Sequence, residues 1–252
     1  MRVENISFKS DGINIVGKLY VPVNEPKPKP TICVCHGIPS PVKTEGDRGY
    51  PALAEKFVEE GFVTLIFNFR GTGFSEGKFN YFGWTQDLYS ALDFLCSRRE
   101  VDGEKLAVVG FSGGAVVSIY VAAKDKRVKA VALGACPAYT KETMKEFVKV
   151  IVESGRMGSL RGKTETYATK KVYEDVLKLM PTKWIGKISP RPVLIVHGEK
   201  DELVNVDDAF RLYSKAKEPK KIVIIPDAQH KLRLNKKAVE TFIDWLKEKL
   251  NS

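Results

Sequence analysis

The chain has 252 residues, 43% of them hydrophobic and 29% charged, with 20 glycines, 13 prolines and a mean hydropathy of −0.20. That balance belongs to a globular chain and excludes disorder and collagen-like repetition. The formal charge of +10 divides into +2 over residues 1–136, +5 over 137–187, −3 over 188–210 and +6 over 211–252, with no more than two basic residues in a row. Without a recognised binding motif or aromatics interleaved with the charge, nucleic acid is not an expected partner.

The first residues, Met1 to Ile6, lack the apolar core of a signal peptide, and no stretch approaches the roughly 20 apolar residues of a membrane span. The sequence therefore predicts a cytoplasmic chain with no membrane partner. Ile6–Lys9 and Ile13–Val21 read as a hairpin split by the turn pair Asp11-Gly12. A proline-rich connector from Pro22 to Pro30 leads into alternating strands and helices. Strands are predicted at Thr31–Cys35, Phe62–Phe69, Leu106–Phe111 and Val128–Ala135, with helices at Tyr50–Glu60, Thr85–Arg98 and Gly114–Ala123 between them. After an interruption the alternation resumes with strands Val193–Val196 and Lys221–Ile225 and helices Val206–Lys217 and Ala238–Leu250.

The inner strands are continuously apolar rather than alternating, as burial on both faces of a parallel sheet requires. The predicted fold is a doubly wound α/β architecture with an antiparallel N-terminal hairpin. The interruption, residues 137–187, is too long to be a bare loop. Helices over Lys141–Ser154 and Thr166–Leu179 would make it a lid beyond the C-terminal strand ends, where open α/β sheets bind ligands. Residues 1–136 and 188–252 then form the body. Cys33, Cys35, Cys96 and Cys136 are expected to be buried free thiols, and no metal-ligand spacing occurs. Only two glutamines, Gln86 and Gln229, stand among 72 charged residues, a bias seen in proteins of hot organisms.

Gly110-Phe111-Ser112-Gly113-Gly114 matches the nucleophile elbow, in which small neighbours let a serine sit on a strained strand-to-helix turn. The motif falls between a predicted strand and a predicted helix, the setting in which it has mechanical meaning. A serine nucleophile needs a base, and the chain has three histidines, His36, His197 and His230. His36 and His197 each end an apolar strand and precede a glycine, so each is expected to support a strand-end turn. His230 lies in the loop before the last helix, at the catalytic edge, and follows the serine and an acid in chain order.

The acid belongs on the loop after Val193–Val196. Asp201 is the choice there, with Glu199 and Glu202 as neighbours; Asp207 and Asp208 suit the start of the next helix, and Asp227 a local turn. Two N–H donors are needed for an oxyanion hole. Gly113 follows the nucleophile, and Ile38 follows Gly37 in a loop where Pro39 and Pro41 have no N–H to give.

With His36-Gly37, the segment Asn68-Phe69-Arg70-Gly71-Thr72-Gly73-Phe74-Ser75-Glu76-Gly77, the elbow, Asp201 after His197-Gly198, and His230, the chain resembles the α/β-hydrolase-fold serine hydrolases over nearly its whole length. It is most similar to their small esterases and acyl-peptidase-like members. The resemblance implies hydrolysis of a carboxylic ester, amide or thioester through an acyl-enzyme, without a cofactor, under a lid inserted after the sixth strand. It also implies that the Arg-Gly-x-Gly-x-Ser segment orders the loop beside the elbow. The expected function is a carboxylesterase acting on a small or medium acyl substrate. A peptidase or acyl-thioesterase is the alternative, and a non-catalytic binding protein a third reading. Of the lid's large side chains, Tyr139, Phe147, Met157, Tyr167, Tyr173 and Trp184, some would line an acyl pocket and most would pack the lid on the body.

Overall fold

The computed structural model describes residues 1–23, 27–40, 45–162 and 171–251. Strands β1 (Arg2–Ser10) and β2 (Ile13–Val21) form the N-terminal hairpin, turning at Asp11 and Gly12, both with positive φ. Then follow β3 (Lys29–Cys35), α1 (Tyr50–Glu59), β4 (Val63–Phe67), α2 (Gly83–Cys96), β5 (Val101–Phe111), α3 (Gly113–Lys124) and β6 (Ala130–Gly134). Beyond the interruption lie β7 (Val193–Gly198), α7 (Asp207–Lys215), β8 (Lys220–Ile225) and α8 (Lys236–Leu250). The eight strands lie in the order β1-β2-β4-β3-β5-β6-β7-β8. β2 is antiparallel to β1 and β4, and every later pair is parallel.

The continuous apolar strands are buried on both faces. Cys33, Val108 and Ile195 point to one side, where α2, α3 and α7 supply Leu88, Val117 and Leu212. Ile32, Val109 and Val196 point to the other, where α1 and α8 supply Phe57 and Phe242. α3 is buried from Gly113 through Ala122 because it lies beneath further structure instead of facing water. Val131 and Ala132 on β6 likewise serve opposite cores, as a period of two dictates.

β5 starts five residues before the predicted Leu106. Its polar extension, Asp102 to Lys105, is aligned by Lys29 pairing with Val101 across an irregular register, which hydropathy does not signal. Cys33, Cys35 and Cys136 are buried, but Cys96 is exposed. It falls at the last position of α2, off the stripe of Leu88, Ala91, Leu92 and Leu95 that faces the core.

Residues between β6 and β7 carry α4 (Lys141–Arg156), α5 (Lys171–Leu179), α6 (Pro181–Trp184) and a 3-10 turn over Ile185–Lys187. Thr140 caps α4 reciprocally with Thr143, a capping box. The predicted helix from Thr166 is seen as α5 from Lys171; residues 166–170, including Tyr167, lie outside the described residues. This cap insert is tied to the rest of the chain at its start and beyond α4. The Ala138 N–H donates to Asp208 at 3.0 Å. After α4, Arg161 clasps the loop after β4, its guanidinium donating to the carbonyls of Gly73 (2.5 Å), Thr72 (3.3 Å) and Ser75. Its own backbone exchanges bonds with Gly71 and Phe79 at 2.8 and 2.7 Å.

Candidate active site

Ser112 sits between β5 and α3 at φ 49° and ψ −122°, a conformation that non-glycine residues adopt only when their surroundings enforce it. Its N–H donates to Gly134 O on β6 at 2.9 Å, and its carbonyl accepts from Ala115 N at 3.0 Å. The flanking glycines make this crossing possible. A Cβ at Gly110 would come within 2.5 Å of Ser118 Oγ, and one at Gly114 within 2.3 Å of His36 O. A Cβ on Gly37 would lie 3.0 Å from Ser112 Cβ, so Gly37 gives the Ser112 side chain its space.

The loops after β7 and β8 are zipped together. Glu199 N donates to Ile225 O at 3.0 Å and Lys200 N to Ala228 O at 2.9 Å, and a Cβ on Gly198 would strike Ala228 O at 2.3 Å. This contact sets Asp201 against His230, with His230 Nδ1 at 2.8 and 3.0 Å from the two carboxylate oxygens. The Asp201 side chain is fully buried and that of His230 19% exposed, so the imidazole is reachable and the carboxylate is not. Burial alone would raise the Asp201 carboxyl. Hydrogen bonds from His197 and His230, with that of the Val204 N–H, outweigh burial and hold it well below the usual carboxylate range. It is an anion at neutral pH, and Glu199 and Glu202 have no comparable contact with His230 among the bonds described.

Ser112 and His230 line one cavity of about 1540 Å³, larger than the 300–1,000 Å³ usual for small-molecule sites. Ile38, Tyr50, Phe111, Tyr139, Phe147 and Leu232 contribute apolar wall. Gly113 opens α3, so its N–H has no acceptor within the helix. A Cβ there would lie 3.3 Å from Ile38 Cγ1, so the side chain of Ile38 packs against Gly113. Tyr81 donates to Gly113 O at 3.0 Å and bonds the Tyr139 hydroxyl at 3.2 Å, tying the cap to the start of α3. Nothing in the sequence singles out this tyrosine pair.

The other histidines hold turns. Burial lowers the His36 pKa to about 4; its Nε2 accepts from Phe69 N at 3.2 Å, which leaves Nδ1 to donate to Gly37 O at 2.6 Å. His197 is fully buried, with Nε2 2.8 Å from Val204 O and 3.3 Å from Asp201. The Arg-Gly-x-Gly-x-Ser segment, which the resemblance expects to order the loop beside the elbow, carries a set of structural bonds. Arg70 Nε and Nη2 both donate to Oδ1 of fully buried Asp87 at 2.9 and 2.7 Å, and its backbone N–H to Oδ2 at 2.8 Å; Ser75 Oγ donates to Asn68 O at 2.5 Å and Glu76 accepts from Asn14 N at 2.7 Å. Asp208 is buried at the start of α7 and Asp227 occupies a turn at φ 58°. Of the cap's large side chains, Tyr139, Phe147 and Met157 reach the cavity, while Trp184 packs on Tyr120 and Tyr173 is exposed. Among the described residues no group of His, Cys, Asp and Glu converges as metal ligands, and no helix is long and apolar enough to cross a membrane.

Residues 52–252 match the prolyl oligopeptidase family, peptidase S9. The chain belongs to that family. It is 28% identical over 174 residues to the uncharacterized protein YfhR of Escherichia coli O157:H7, covering 68% of this chain and 54% of YfhR, so it spans about half the length of that relative. The alpha/beta hydrolase GrgF from Penicillium sp. sh18 superposes with a TM-score of 0.78 at 19% identity, both chains being covered completely. The esterase domain of a Rhodothermus marinus protein superposes with a TM-score of 0.75 at 21% identity, covering 99% of this chain and all of that one. At such identities the superpositions establish the α/β-hydrolase fold, which the family match shares.

Proposed function

We propose that this family member is a serine carboxylesterase that works through an acyl-enzyme. The observation that carries the proposal is the strained Ser112 sharing a cavity wall with His230, whose far nitrogen is held by the buried Asp201 anion. With Nδ1–H committed to Asp201, His230 presents Nε2 as the base. Ser112 Oγ attacks the substrate carbonyl as its proton passes to Nε2, and a tetrahedral oxyanion forms. The N–H groups of Gly113 and Ile38 stabilise that oxyanion. Collapse expels the alcohol, protonated by His230, and water repeats the sequence on the acyl-enzyme to release the acid. Asp201 keeps the imidazole in the required tautomer and stabilises its cation.

Ester cleavage is supported by an apolar wall of Ile38, Phe111, Phe147 and Leu232 around the nucleophile and by the shared fold of the Rhodothermus marinus esterase domain. Peptide cleavage is the second reading, favoured by the family to which residues 52–252 belong. Matched p-nitrophenyl esters of increasing acyl length, aminoacyl p-nitroanilides and acyl-CoA thioesters separate the possibilities. The esterase reading expects the highest kcat/KM among the esters. A preference above tenfold for an anilide or a thioester would replace it.

A further inference from the structure

Asp201 receives more donors than an orienting carboxylate needs. One oxygen accepts the N–H groups of Leu203 and Val204, both at 2.9 Å. The other lies 2.8 Å from His230 Nδ1 and 3.3 Å from His197 Nε2. His197 Nε2 is also 2.8 Å from Val204 O. Two oxygen acceptors against one ring nitrogen require a hydrogen on it, because an unprotonated nitrogen would face both lone pairs. His197 Nδ1 is buried with no hydrogen-bond partner. A protonated Nδ1 would strand a buried N–H, so the ring is the neutral Nε2–H tautomer.

We propose that His197 is a positioning residue for the hydrolytic reaction: its Nε2–H, shared between Val204 O and Asp201, fixes the carboxylate oxygen that grips His230. The inference rests on the serine-hydrolase reading and assigns a role that the strand-end position of His197 does not by itself announce. The bond ties the rigid end of β7 to the acid four residues later, so the acid's orientation is set by the sheet as well as by its own loop. Withdrawing this donor leaves Asp201 two consequences. The carboxylate is less well held, and the charge on its Oδ2 falls more fully on His230, whose imidazolium is then favoured. Of the other charged groups at these loops, Lys200 and Asp227 pair with each other at 2.5 Å on the surface, Glu199 accepts the Asp227 N–H at 3.2 Å, Arg233 pairs with Asp47, and Glu202 and Lys231 line the cavity that His230 also lines.

The test uses His197→Phe, which keeps a planar ring without a donor, and His197→Gln, whose amide N–H replaces Nε2–H. Expected for His197→Phe are a fall in kcat of at least about tenfold, a KM within about twofold of wild type, and an acidic limb of the kcat profile moved to higher pH. His197→Gln should recover most of kcat and restore the limb. Nitrogen-15 NMR of the wild-type imidazoles at neutral pH should show His197 as the Nε2–H tautomer, and this arm decides the matter should His197→Phe not fold. An Nδ1–H tautomer overturns the proposal. So does a folded His197→Phe with wild-type kcat and pH profile, or a His197→Gln as impaired as His197→Phe with the limb unmoved. Failure of the hydrolase reading is distinct: wild-type chain would then not react with a fluorophosphonate, whereas the tautomer is read on the resting protein.

Discussion

The loops that carry Ser112, Asp201 and His230 and the cap between β6 and β7 meet at one cavity, yet they are built differently. In the first region the loops themselves are anchored by backbone pairing: Ser112 N to Gly134 O, Glu199 N to Ile225 O, Lys200 N to Ala228 O. The cap is tied chiefly by side chains reaching across, Arg161 to the Thr72–Ser75 carbonyls, Tyr139 to Tyr81 and Asp208 to Ala138 N. A sheet edge can hold reacting atoms to the tolerance that chemistry demands, while a side-chain-tethered cap can be repacked without disturbing them. On the proposed function, the contrast gives bond cleavage to the body and choice of substrate to the cap.

The sharpest break of that division is Ser112→Ala, which should abolish hydrolysis by about 10⁶-fold while leaving thermal stability essentially unchanged, because alanine keeps the Cβ that the positive φ of residue 112 strains. Activity surviving at wild-type level would move the chemistry elsewhere. Asp201→Asn comes next, with kcat lower by about 10⁴-fold through the wrong imidazole tautomer. It also has a pH signature. The Asp201 carboxyl is lower in the folded chain than in the unfolded one. Its contribution to stability is therefore complete above the unfolded pKa of about 3.9 and declines as pH falls from there toward the folded value. Denaturant titrations at pH 7 and pH 3 should show a smaller difference for Asp201→Asn than for wild type; an equal difference would remove the anion from the account.

Gly37→Ala places a methyl 3.0 Å from Ser112 Cβ. Displacing the nucleophile by a fraction of an ångström should lower kcat by about tenfold to a hundredfold on every substrate alike. Arg161→Ala probes the other region. Losing charge-assisted bonds of about 1.5 kcal/mol should lower kcat/KM roughly tenfold on bulky esters, with acetyl esters within about twofold. Equal losses on bulky and acetyl esters would erase the distinction between body and cap.

The order of strands and helices is legible because continuous apolar runs such as Leu106–Val109 and Val193–Val196 admit few placements. Ser112 and His230 are legible as well, one through its glycine neighbours and the other through the scarcity of histidine. Asp201 could be chosen over Glu199 by position alone, and the geometry gives the reason: the Gly198 contact with Ala228 brings residue 201, not 199, to the imidazole. What the sequence hides are bonds between residues distant in the chain with no spacing rule. Tyr81 meets Tyr139 and Arg161 meets Gly73 only after the sheet has been assembled. Hydropathy likewise cannot foresee the polar start of β5 or the outward turn of Cys96.

The central claim is that Ser112 is the nucleophile activated by His230, and the most direct measurement is covalent labelling of the full chain with an alkyl fluorophosphonate, mapped by peptide mass spectrometry. The account predicts one adduct, on Ser112, formed in wild type and suppressed in His230→Gln. A folded wild-type chain that remains unlabelled, or an adduct on another serine, would contradict it.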